Sequence, residues 1–168
     1  MRTARFASLT LAVSLLACDQ VTGPNPPAII FPPNGNVIPR LHLGPWSQTG
    51  FDASRRQIIT DRITLEATWA TLYRGQDPIP PVPAVDFSEE VVVLVAMGGR
   101  PSSGYSIAVN RVQEDGNGRS IEVLEVSPGS GCVTLTVITS PADAVVLPTA
   151  RGLPVRFVEV QDTRDCGS

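Results

Sequence analysis

Residues 90–98 read Glu-Val-Val-Val-Leu-Val-Ala-Met-Gly, and no other stretch constrains the fold as tightly. A strand with one wet face alternates apolar and polar residues. This run does not alternate, so it predicts a central strand covered on both sides. Residues 104–112 do alternate: Tyr105, Ile107 and Val109 fall on one face, and Ser106, Ala108 and Asn110 on the other. That pattern belongs to a strand with one buried and one solvated face. Further strand-like runs occupy 55–60, 119–128, 132–140, 144–148 and 154–160. One segment breaks the trend, because Leu65, Trp69, Leu72 and Tyr73 recur at helical spacing, with Asp61 or Thr64 available as N-cap and Gly75 as the stop. Turn chemistry punctuates the strands. Glu114 to Arg119 carries a hairpin signal, and Ser127 to Gly131 a second turn. Short connections predict antiparallel neighbours. The expected fold class is therefore mainly β (α+β): an antiparallel sheet or sandwich of about six strands with one early helix packed on it.

The N-terminal residues bear on location. Arg2 and Arg5 precede a mostly apolar run, Leu9 to Leu16, which is too short to stay in a bilayer as a helix and has the layout of a secretory signal. Leu15-Leu16-Ala17-Cys18 closes it and resembles the lipobox of bacterial lipoproteins, in which the cysteine is acylated and becomes the first mature residue. The resemblance implies a signal peptide over 1–17, lipidation of Cys18 and anchoring in the cell envelope, with the inner or outer membrane left open. Two or three acyl chains suffice for stable anchoring where one is marginal. Asp19 to Pro39 holds six prolines, which disfavour regular hydrogen-bonded structure. Residues 18–39 are expected to form a linker, and residues 40–168 a single globular domain.

Export also favours disulfides. With Cys18 spent on lipid, Cys132 and Cys166 remain as one candidate pair, and a bridge between them stabilises by about 4 kcal/mol on the chain-entropy model. All 13 basic residues are arginine. Removal of Arg2 and Arg5 leaves 11 against 16 acidic residues, a formal charge of −5. So acidic a chain lacks the basic face that nucleic acid requires. No CxxC is present and His42 is the sole histidine, so no metal ligand set and no cofactor are expected.

The sequence also argues against catalysis. Ser102 and Ser103 are candidate nucleophiles, yet the one imidazole lies far away in sequence and reads as a surface or edge residue. There is no GxSxG elbow, and the absence of lysine removes Ser–Lys chemistry. Asp86, Glu89 and Glu90 read as a solvated approach to a strand, and nothing singles out a glycosidase pair among them. Gly98-Gly99 lacks the Gly-Lys-Ser/Thr of a phosphate loop. The Asp115-to-Val126 stretch fails as a calcium loop, since its twelfth position is valine where a bidentate glutamate is required. No enzyme is expected.

Gly98, Arg100, Pro101, Gly104, Tyr105 and Ile107 form a Gly-x-Arg-Pro-x-x-Gly-Tyr-x-Ile pattern, followed by Thr139-Ser140-Pro141-Ala142-Asp143-Ala144-Val145-Val146-Leu147-Pro148. Together these resemble the C-terminal domain of the protease complex subunit PrcB family, over roughly Val85 to Glu159. Ala142 departs from relatives that carry an aromatic residue after the proline. The resemblance implies a lipid-anchored, extracytoplasmic, non-catalytic protein that associates with a protease. Arg100 to Tyr105 is also similar to the cleft-inserting loop of chagasin-type cysteine-protease inhibitors, although their other loops are missing in the expected order. Three readings follow. The first is an accessory subunit with Gly98, Arg100, Pro101, Ser102, Ser103, Gly104 and Tyr105 as its partner-binding loop, against a plain turn in which the glycines allow the bend and Tyr105 packs inward. The second is an inhibitor. The third is a structural or ligand-binding envelope lipoprotein, which a deep apolar pocket would mark.

Overall fold

The computed structural model describes residues 35–167. Cys18 and the signal-like run lie outside them. Eight strands and a helix follow one another as β1 (Asn36–Val37), β2 (Leu41–His42), β3 (Arg55–Ile59), α1 (Arg62–Leu72), β4 (Glu90–Ala96), β5 (Ser106–Asp115), β6 (Gly118–Pro128), β7 (Ala142–Pro148) and β8 (Val155–Arg164). They form two four-stranded sheets, ordered β1-β5-β6-β8 and β2-β7-β4-β3. The mainly β sandwich with one early helix is as the sequence predicts, and six of its strands have five or more residues.

β4 shows why its sequence does not alternate. Val92, Leu94 and Ala96 face a cluster with Leu65, Trp69 and Leu72 of α1. Val93, Val95 and Met97 face the other way, into a cluster with Ile107, Val109 and Val112 of β5 and Ile121 and Val123 of β6. The strand is thus the middle of three layers: helix, sheet, sheet. β7 repeats the arrangement beside it, with Ala142, Ala144 and Val146 toward the helix and Val145 and Leu147 between the sheets. The helix starts where its cap predicts, since the Asp61 carboxylate accepts from the Thr64 amide and hydroxyl, both at 2.8 Å. Those two hydrogen bonds hold the Asp61 carboxyl below the usual carboxylate range.

Three expectations are corrected. Residues 132–140 do not form a strand; only Thr139 pairs, through an isolated bridge to Arg100. Pairing is not uniformly antiparallel, because β8 joins β6 in parallel after the chain has crossed to the other sheet for β7. Of the sequence-adjacent strands, β5 and β6 do form the expected hairpin, and β3 pairs antiparallel with β4 across α1. The ordered sheet also begins inside the proline-rich stretch, where Asn36 and Val37 pair with Glu114 and Gln113.

Candidate functional site

Two segments carry the chain between the sheets at one end of the sandwich: 97–105 from β4 to β5, and 129–141 from β6 to β7. They bind each other. Arg100 and Thr139 exchange backbone hydrogen bonds at 2.7 and 3.0 Å, Ser103 N donates to Leu135 O at 3.0 Å, and Leu135 N donates to Ser103 Oγ at 2.8 Å. The Thr139 hydroxyl adds a bond to Ser102 O at 2.9 Å. A third segment, 47–54, closes the group: Gly99 N donates to Asp52 O at 3.1 Å, and Gln48 Nε2 to Ile138 O at 2.8 Å. Gly98 makes the approach feasible. Its φ is +76°, and a Cβ there would stand 2.8 Å from both Ala53 C and Ser54 N.

Each residue of the sequence-derived loop now has a place. Gly98 is buried and Pro101 exposed, while Arg100, Ser102, Ser103, Gly104 and Tyr105 are half-buried. Tyr105 packs against the inter-sheet cluster, and the Arg100 guanidinium lies 5.8 Å from its ring centroid. This geometry fits the turn reading of Tyr105 and leaves Pro101 and Gly99 as the outward part of the loop. Cys132 and Cys166 form a disulfide with Cα atoms 5.0 Å apart, tying the segment after β8 to the start of the 132–140 segment. Among the described residues both serine hydroxyls are engaged with backbone: Ser102 Oγ donates to Ser103 O, and Ser103 Oγ accepts from Leu135 N. His42 sits on β2, with Nδ1 3.4 Å from a buried Asp143 oxygen and Nε2 accepting from Arg40 Nε at 3.1 Å.

Sequence reasoning missed an ionic cluster beside the loops. Arg56 of β3 grips Glu159 of β8 with two bonds of 2.8 Å and Glu125 of β6 with one of 2.6 Å, so it joins the two sheets. Burial pulls its pKa down, but the bonds from Glu159 and Glu125 outweigh that and raise it. Arg100 approaches Glu125 to 3.8 Å from the loop side. Only the strand-like context of each residue is visible in sequence, since Arg56 lies 69 and 103 residues from its partners. Another crevice opens between the sheets, lined by Ile58, Val91, Val93, Ile121, Leu147 and Val155. Its volume, about 150 Å³, falls short of the roughly 300–1,000 Å³ of small-molecule sites.

What the fold defines is a two-sheet β-sandwich module whose distinguishing end is built from loops held by backbone hydrogen bonds. Residues 91–148 match the family model described as PrcB C-terminal, so the resemblance read from the sequence is borne out over this stretch. The matched residues run from β4 through β7 and include both crossing segments. No curated protein and no solved structure matches the chain.

Proposed function

We propose that the chain is a non-catalytic accessory subunit of a protease complex, exported and held at a membrane by an acylated Cys18, and that the loop end meets its partner. The observation that carries this reading is the PrcB C-terminal match, because it takes in the two segments that build that end. The chemistry supports a binding role. Both serine hydroxyls are engaged in the loop contacts, and the one imidazole is engaged with Asp143 and Arg40. The loops are held in place by their mutual bonds, so little ordering entropy is lost when a partner docks.

The test uses membranes from cells that produce the full chain, crosslinked, solubilised and recovered with an antibody against it. A protease is expected in the recovered material, and deletion of the chain is expected to lower surface proteolysis. Recovery with no protease, together with unchanged proteolysis in the deletion strain, would overturn the reading. Cys18→Ser is expected to move the chain into the soluble fraction; retention in the membrane would remove the anchor from the proposal. Slowed hydrolysis of a fluorogenic substrate by papain would instead identify an inhibitor.

A further inference from the structure

We infer that residues 132–135, which lie along the 97–105 loop outside both sheets, take up an extended strand of a partner polypeptide. This deepens the accessory-subunit reading by naming how the partner is held, and it rests on that reading for the partner's identity.

The segment has strand composition with its alternation turned inside out. Val133, Leu135, Val137 and Ile138 are 101, 70, 43 and 74 % exposed, whereas Thr134 is half-buried and Thr139 buried. Its inner side is occupied, since Leu135 gives both backbone groups to Ser103, and Thr139 gives both to Arg100. In an extended chain the backbone groups of the next residue face the opposite way. Among the described residues, the amides of Val133, Thr134, Thr136 and Ile138 have no protein acceptor. A bend at Thr136, closed by Val137 N to Leu135 O at 2.9 Å, limits the straight portion to 132–135.

The segment, though short, lacks the other two usual guards. Proteins protect exposed edges with charge, proline or brevity. β3 carries Arg55 and Arg56, β8 carries Arg156, Glu159, Asp162 and Arg164, and β1 and β2 have two residues each, with Pro39 and Arg40 between them. Residues 132–140 contain neither a charged side chain nor a proline.

The size of the surface selects the occupant. Four side chains of this kind expose a few hundred Å², the scale of an ordinary functional patch. A stable dimer needs about 800 Å² on each copy, so a second copy seated here alone would not hold. An added strand needs less apolar area, because main-chain hydrogen bonds supply affinity while alternate side chains supply specificity.

The probe is a fluorescent synthetic peptide of alternating valine and threonine, titrated into the full chain in detergent. Saturable binding is expected. Val133→Lys and Leu135→Lys, both at exposed positions and checked for folding by circular dichroism, are expected to weaken it by about tenfold or more, equivalent to about 1.4 kcal/mol. N-methylating one alternate set of peptide amides should abolish binding, and methylating the other set should not. The inference fails if the wild-type chain does not bind, if both methylated peptides bind equally, or if Leu135→Lys changes nothing. A dimer seen by sedimentation velocity and lost in Leu135→Lys would make the occupant a second copy, which also overturns it. The assay contains no protease. If it fails while a protease is still recovered from membranes, the strand uptake falls and the accessory role stands.

Discussion

Gly98→Ala tests whether the loop end is held by close backbone packing or merely permitted by it. The substitution has two separable effects. A φ of +76° places alanine in the left-handed region, which costs about 1–2 kcal/mol. The new Cβ would also lie 2.8 Å from two backbone atoms of residues 53 and 54, which no side-chain rotation relieves; overpacking of this kind adds about 1–3 kcal/mol. The sum, about 2–5 kcal/mol, corresponds to a fall of roughly 5–15 °C in melting temperature for a chain of this size. Two companions isolate the effects. Gly104 shares the backbone requirement, with φ +96°, but its nearest neighbour is the Pro128 side chain at 3.1 Å, so Gly104→Ala should lose about 1–2 kcal/mol for the backbone and little for contact. Gly131 has nothing within 4 Å and no positive φ, so Gly131→Ala should be neutral or stabilise by about 0.4–1 kcal/mol. Thermal and urea melts of the three purified variants give the order directly. A Gly98→Ala protein as stable as Gly131→Ala would refute the argument that residues 52–54 and the loop are packed backbone to backbone.

Two further outcomes are expected. Asp61 has its carboxyl lowered by the Thr64 bonds, so its contribution is present above the ordinary aspartate range and lost as pH falls through the depressed value; Asp61→Ser keeps a cap but removes that acid-side slope, and parallel melts that keep an identical pH dependence would contradict it. Asp143 Oδ2 accepts from the buried Val109 amide at 2.9 Å, so Asp143→Ala should lose about 1–3 kcal/mol by leaving that amide unpaired, while exposed His42→Ala should lose far less; equal losses in urea melts would show that the histidine contact, not the amide, is what matters.

The layered core was legible because burial on two faces leaves an unbroken apolar run, and residues 90–98 contain one. The helix was legible for the same local reasons, its apolar period and its cap. Residues 132–140 misled because an alternating valine and threonine pattern says which residues are alike, not whether a neighbouring strand exists to pair with them. Here Ser103 and Arg100 take the backbone groups on one side, and no strand of the chain among the described residues takes the other. The parallel return of β8 beside β6 was invisible for a related reason. It depends on the chain leaving for the other sheet and coming back, which no local turn encodes. Of the loop residues, the glycine and proline positions were readable from their backbone preferences. The partners of Ser103 and Arg56 were not, since each lies 30 or more residues away in sequence.

The pairing of β1 with β5 fixes which way the module points. Asn36 lies opposite Glu114, next to the β5–β6 turn, whereas the loop end begins at Ser106, eight residues back along the same strand. At about 3.4 Å per residue, the two are roughly 25–30 Å apart. β8 runs parallel to β6 and finishes at the loop end, where the disulfide joins Cys166 to Cys132. The sandwich therefore has a handle and a head: a hold on the residue-35 side leaves the loops facing outward, and a reporter fused after residue 167 would sit among them. Fusions meant to leave the head uncovered belong in the turn at Gly116-Asn117, the tip nearest the handle.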